Sequence, residues 1–207
     1  MKAITDWRSL DLQSLDLVLC AGKSKMSNRI RWFQGMCGYS KEEADITHVG
    51  GIRNEFYNSY MQESTTLNAF ADKRGVQEND FSEWLMNYNG KVYIKQLVFD
   101  RTVKFSATDY GFWLGHQLDD YENGIMGYGE LLLCGLRLHK AIQKIWPSYQ
   151  PLQTKNPHCT ELVAKRLIEH NMLKQHNYAN RMPPAMWWSI INDCLHNCEV
   201  KKPVRIK

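Results

Sequence analysis

No stretch of this 207-residue chain approaches the roughly twenty consecutive apolar residues that a membrane-spanning helix needs. The opening Met1-Lys2-Ala3-Ile4-Thr5-Asp6-Trp7-Arg8 carries charges where a secretory signal would carry its apolar region. Together these absences lead to the expectation of a cytoplasmic protein, with release on lysis or association with a virion as routes outward. In a reducing compartment its six cysteines (Cys20, Cys37, Cys134, Cys159, Cys194 and Cys198) are expected to be mostly thiols. Internal repeats, low-complexity tracts and a linker between two halves are also missing. So is a concentrated basic face. The net charge is only +4, and Lys and Arg are interleaved with Asp and Glu except in Lys201-Lys202-Pro203-Val204-Arg205-Ile206-Lys207. A nucleic-acid groove usually shows such a face, so no nucleic-acid partner is expected.

What remains is a chain with enough apolar residues, 43%, to exclude disorder, and of a length that buries one good core. The simplest organisation is a single domain over 1–207, with a partly helical insertion around 107–150 and a basic tail at 201–207. The coarse order is strand (15–20), helix (24–34), hairpin (46–53 and 59–65), helix (79–87) and strand (91–99). A mostly helical region (107–146), a helix (157–170) and a final helix from about Pro184 to Cys194 follow. Helix and strand mix without strict alternation, which places the chain in the α+β class.

The most informative stretch is Asn156-Pro157-His158-Cys159-Thr160-Glu161-Leu162-Val163. Asn156 is a good N-cap and Pro157 a good first helical residue, so Cys159 falls in a first helical turn. Leu162, Val163 and Leu167 recur at helical spacing, with Lys165, Arg166 and Glu169 for the wet side. Unpaired backbone N–H groups and the positive end of the helix dipole favour a thiolate there, and the thiolate is the nucleophile. A base is available far upstream. His48 lies in the strand-like Asp45-Ile46-Thr47-His48-Val49-Gly50-Gly51-Ile52-Arg53, ahead of the turn-like Asn54–Asn58 and the second strand-like run Ser59–Thr65. A hairpin whose loop centres on Glu55 and Phe56 sets His48 directly opposite Glu63. A carboxylate there orients the ring and raises its affinity for a proton. Glu55 and Gln62 compete for that role, and a one-residue slip brings Gln62 or Ser64 opposite instead.

These residues carry a family resemblance. The chain resembles the circularly permuted branch of the NlpC-type, papain-like cysteine hydrolases, in which the histidine precedes the cysteine. Leu15-Asp16-Leu17-Val18-Leu19 resembles the family's first strand, and Lys23–Phe33 the short helix after it. Thr47-His48-Val49-Gly50 resembles the histidine strand, and Gln62-Glu63-Ser64 the acidic position. Gly75-Val76, Phe81-Ser82-Glu83-Trp84-Leu85 and Lys91–Leu97 resemble the next elements, and His158-Cys159-Thr160-Glu161-Leu162-Val163 the nucleophile helix. The match runs from about residue 10 to about 190. Each motif is short; their order and spacing together are the specific part. Two departures stand out: Thr160 where serine more often follows the cysteine, and the poorly matching stretch from Ala107 to Gln150. The resemblance implies an antiparallel sheet packed against the nucleophile-bearing helix, with Cys159, His48 and Glu63 as nucleophile, base and orienter. It implies a thiol-dependent amidase or peptidase acting on a peptide or other amide, cell-wall peptide included. A lipid-directed acyltransferase or thioesterase, or a non-enzymatic binding or virion-associated module, are the alternatives on the same fold.

Other chemistry-bearing groups read as structure. Cys194-Leu195-His196-Asn197-Cys198 offers three ligating side chains, but lacks C-x-x-C pairs and a second half, so packing is preferred over zinc. No metal or other cofactor is expected. His116-Gln117-Leu118-Asp119-Asp120 reads as a solvated turn, although His116, Tyr110 or Tyr121 could line a cleft. Trp187 and Trp188, with Trp113, Trp146 and Tyr149, read as core and cleft wall. His158 is a poor base for its neighbour, because successive helix residues point about 100° apart.

Overall fold

The computed structural model describes residues 6–55, 58–65, 75–99, 145, 159–169, 172–173, 183–190, 195–196 and 198–207. Eight strands lie among them: β1 (Leu17–Gly22), β2 (His48–Glu55), β3 (Asn58–Thr65), β4 (Gly75–Asp80), β5 (Gly90–Lys95), β6 (Leu97–Phe99), β7 (Cys198–Val200) and β8 (Val204–Arg205). Five helices accompany them: α1 (Lys25–Met36), α2 (Lys41–Asp45), α3 (Phe81–Asn87), α4 (Cys159–Glu169) and α5 (Pro184–Ser189). Six strands form one antiparallel sheet in the order β4-β3-β2-β1-β5-β8, and β6 pairs with β7 separately. The protein is therefore α+β with an antiparallel sheet.

β1 is buried along its whole length, which is why Leu17-Val18-Leu19-Cys20-Ala21 is apolar throughout rather than alternating. Its odd and even residues feed two cores. Leu17 and Leu19, with Val49 of β2, pack against Val163, Ala164 and Leu167 of α4 and Trp187 of α5. Val18 and Cys20, with Ile52, Met61, Val92 and Ile94, pack against Phe81 and Leu85 of α3. The buried Trp187 joins the first core, and among the described residues its indole N–H lacks a hydrogen-bond partner.

Local chemistry sets the helix ends. Ser24 caps α1 by accepting from the Ser27 N–H at 3.0 Å. α1 closes with Gly38 at φ 88°, the Tyr39 N–H reaching the Gln34 carbonyl and the Gly38 N–H that of Gly35. Ser40 and Glu43 form a capping box on α2, and Asp80 caps α3. Three buried polar side chains then tie elements together through backbone groups. Gln34 donates to the carbonyls of Ala44 and Ile46 and accepts from the Ala185 N–H, joining α1, α2 and α5. The ammonium of Lys95 lies 3.3, 2.6 and 2.8 Å from the carbonyls of Trp187, Trp188 and Ile190 and caps the end of α5. Asp16 accepts from the N–H groups of Gln13 and Leu97, each at 2.8 Å. Burial nevertheless pushes its carboxyl up to about 6.

Several sequence expectations shift. The segment expected as a basic tail is woven into the sheet: Val204 and Arg205 pair with Ile94 and Tyr93, and Ile206 is buried. Lys207 caps α3 through the carbonyls of Leu85 and Met86. Residues 75–80 form a strand whose pairing with β3 hides the helix start that was expected at 79. The strand expected over 91–99 breaks after Lys95, and its second half leaves for β7. α5 ends at Ser189, with Ile190 already extended. The insertion expected around 107–150 lies outside the described residues, apart from Ile145. So do Asn156, Pro157, His158, Tyr110, Trp113, His116, Asp119, Asp120, Tyr121, Trp146, Tyr149, Cys134, Cys194 and Asn197.

Candidate functional site

The three residues singled out for nucleophilic chemistry come together, by a route that differs from the expected one in a single detail. Gly51 pairs with Gln62 and Glu55 with Asn58, two residues on from the pairing that a loop centred on Glu55 and Phe56 sets. The same register sets Glu63 opposite Gly50 rather than His48. The displacement is two residues, which preserves the face of the sheet, whereas a slip of one would have reversed it. His48 and Glu63 are diagonal neighbours, and their side chains meet: His48 Nε2 lies 2.8 Å from Glu63 Oε2. Gly50 keeps the position between them empty. A Cβ there would lie 2.6 Å from the Gln62 carbonyl oxygen and press on the end of Met61. Gln62, the competing orienter, is occupied on the other face of the strand, donating to Glu78 at 2.9 Å. The side chain of Glu55 lies outside the described residues.

Cys159 is the first residue of α4 and is 1% exposed. Its sulfur is hydrogen-bonded to the His48 ring and to the backbone N–H groups of Val49 and Thr160. With Nε2 committed to Glu63, Nδ1 is the ring nitrogen left for the thiol. Burial acts most strongly on Cys159 and favours the neutral thiol. It is outweighed by the positive charge of His48, the His48 hydrogen bond and the two backbone donors, so the thiol ionises below its usual range. For His48 too, burial is the largest influence and favours the neutral ring. The charge of Cys159 and the hydrogen bonds to Cys159 and Glu63 reverse it and push the imidazolium up to about 10. Each group therefore favours the charged form of the other, thiolate beside imidazolium.

Three further residues belong to this cluster. Trp84 of α3 donates its indole N–H to the second carboxylate oxygen of Glu63 at 3.0 Å. Glu63, 7% exposed in its side chain, is thus held through both oxygens. Tyr88 stacks on Trp84 with ring centroids 4.9 Å apart, and its hydroxyl is bonded to the thiol of Cys20. Cys20 is the cross-strand partner of His48. Burial first, then the charges of Glu63 and Cys159, hold the Cys20 thiol protonated. Burial first, then Cys20 and Glu63, do the same for the Tyr88 hydroxyl. Trp84 stood in the sequence beside Phe81 and Leu85 as a helical apolar residue, and nothing marked its N–H for a carboxylate. Cys20 sat within an apolar strand. Neither spacing nor residue type separates such positions from ordinary core.

A cysteine thiolate, an imidazolium that can return its proton, and a doubly held carboxylate behind the ring are the parts required for nucleophilic attack on a carbonyl. Among the described residues no group of three or more His, Cys, Asp or Glu side chains is arranged to hold a metal ion. Cys20, Cys159 and Cys198 are thiols, not disulfide partners. No helix among the described residues is long and apolar enough to cross a membrane. Compared with known proteins, the chain matches no family model and no curated protein.

Proposed function

We propose that this protein is a thiol-dependent hydrolase that cleaves an amide, such as a peptide bond, through an acyl-enzyme on Cys159. The reading includes the circularly permuted papain-like arrangement that the sequence resembles, with a histidine strand preceding a nucleophile helix. One observation carries it: a buried chain of hydrogen bonds runs from Cys159 through His48 to Glu63, across more than a hundred residues of sequence. A core cysteine needs neither a histidine with a raised pKa nor a carboxylate behind that histidine.

In this reading the thiolate attacks the carbonyl carbon and the carbonyl oxygen takes up the negative charge. The backbone N–H of Cys159, at the start of α4, is the natural donor to that oxygen. The His48 imidazolium gives its proton to the leaving nitrogen, the C–N bond breaks, and an acyl thioester remains on Cys159. His48, now neutral, takes a proton from water as the water attacks the thioester. The acid departs, and thiolate and imidazolium are restored. Glu63 stabilises the charged ring throughout, and Trp84 keeps Glu63 from turning away.

The decisive measurement is labelling by cysteine-directed activity probes across pH, with the wild type beside Cys159→Ala and His48→Ala. Labelling at or below neutral pH that disappears in Cys159→Ala and collapses in His48→Ala supports the hydrolase. A Cys159→Ala protein that keeps its labelling and amide hydrolysis, or a Cys159 that reacts no faster than a free thiol, removes it.

A further inference from the structure

Helix α1 presents a surface that the candidate site does not use. At 100° per residue, Lys25, Arg29, Trp32 and Met36 fall within about 60° of arc, one above another along the helix. All four are exposed, Trp32 at 66% and Met36 at 53%. Phe33 and Gln34 point the other way and are buried. Among the large apolar residues exposed on the described surface, Trp32 is the only aromatic one, and Met36 lies one turn on. The other large apolar residues exposed there are Met86, Val98, Ile145 and Met186.

Along the segment that carries α1, up to the acids Glu42 and Glu43 that open α2, the charge has one sign. From Leu17 to Lys41 the sequence contains five cations and no acid. Arg31 is turned inward to Asp45 and the Gly22 carbonyl. Lys23, Lys25 and Arg29 remain exposed around the Trp32–Met36 stripe. We propose that this face of α1 docks on an anionic lipid surface, with Trp32 and Met36 entering the headgroup boundary and Lys23, Lys25 and Arg29 meeting the phosphates. The chemistry is that of an interfacial amphipathic helix: indole and thioether at the boundary between water and acyl chain, basic side chains at the level of the headgroups. The helix needs no ordering to bind, because Gln34 clamps its inner side to α2 and α5. Arg31 also ties it to Gly22, whose N–H is bonded to Thr47, the residue before His48. The stripe and the candidate site are therefore linked through Gly22 and Thr47. The surface does not depend on what Cys159 does.

The test is co-sedimentation of the full chain with sucrose-loaded vesicles of phosphatidylcholine alone, and of phosphatidylcholine mixed with phosphatidylglycerol, at low and high salt. Binding is expected to the mixed vesicles only, and to weaken with salt. Each surface cation contributes about fivefold, so Lys25→Glu with Arg29→Glu lowers partitioning at least about twentyfold. Trp32→Ser with Met36→Ser also abolishes binding, although every charge is retained. These positions are exposed, so both proteins are expected to keep their melting temperature and their Cys159 labelling. That separates failure of this surface from failure of the hydrolase reading. Equal binding to neutral vesicles, no binding at all, or binding that survives either pair of substitutions overturns the proposal. So does a dimer of the wild type in light scattering that Trp32→Ser with Met36→Ser dissolves, without vesicle binding, since the stripe then serves a second copy of the chain.

Discussion

Buried polar side chains occur in two parts of this molecule, and they are satisfied in opposite ways. Asp16, Gln34 and Lys95 bond to backbone N–H and carbonyl groups. At the start of β2, His48, Glu63, Trp84 and the thiol of Cys159 bond chiefly to one another, with Tyr88 and Cys20 alongside. A backbone carbonyl or amide cannot relay a proton at these pH values, so a side chain that serves one acts as a pin. A titratable group bonded to another titratable group can pass a proton along. The partner of a buried charge, more than the charge itself, separates fastening from chemistry.

Substitution should split the two regions cleanly. The largest effect is expected from His48→Ala, which removes the proton acceptor and the counter-charge together. Cys159 alkylation near neutral pH should fall by about 10²–10⁴-fold, in the range of a lost general base, with the fold retained by circular dichroism. Next is Trp187→Ala in the core between sheet and α5, which should cost about 3–5 kcal/mol in chemical denaturation. A loss under 1 kcal/mol would show that this core is not packed as described. Lys95→Met should cost about 1–3 kcal/mol by stranding the buried carbonyls that end α5, while Cys159 labelling stays unchanged. If labelling fell as well, the fastening region and the candidate site would not be separable. Trp84→Phe keeps an aromatic ring in the stack with Tyr88 and removes the N–H to Glu63. Its expected signature is a roughly tenfold slower alkylation at low pH that converges on the wild type at high pH, since one pKa unit is worth about 1.4 kcal/mol.

The dependence of stability on pH separates the two regions as well, in different windows. Asp16 holds its proton more firmly when folded, up to about 6 against an ordinary 3.8. Its contribution is whole below about 3.8 and is lost as pH rises through about 6. His48 is also raised, from 6.5 to about 10, so its contribution is whole below 6.5 and lost as pH rises through about 10. Cys159 is lowered from 9.0, and its contribution is present above 9.0 and lost as pH falls through its lowered value. Urea denaturation from pH 4 to 10 should show the first window closed by Asp16→Asn and the second by His48→Gln. A single window abolished by either substitution would join the two regions.

The positions legible in the sequence were those governed by local rules. Cys159 opens a helix whose apolar period shows in Val163 and Leu167, and the β2–β3 hairpin shows in Val49, Ile52 and Met61. The face shared by His48 and Glu63 also survived, because the two-residue displacement has the period of a strand. The register itself was hidden: Asn54–Asn58 has turn composition but contains no Asn-Gly or Asp-Gly pair that would dictate where the chain reverses. Lys95, Gln34 and Trp84 were hidden for another reason. Their partners are 92, 151 and 21 residues away in sequence, and a side chain's type says nothing about which distant backbone or carboxylate it will meet. The strand at Val204–Arg205 reads as a charged end until Ile206 is seen buried under β5.

The site's two halves lie far apart along the chain. A ribosome delivers β1 to β5, α3 included, well before residue 159. The carboxylate and the imidazole can therefore find each other while the sulfur is still unmade, and the contact that activates it closes only afterwards. A chain caught midway has an acid and a base without a nucleophile. Reactivity thus waits on the second half of the chain, and it is forfeited when α4 lets go of the sheet.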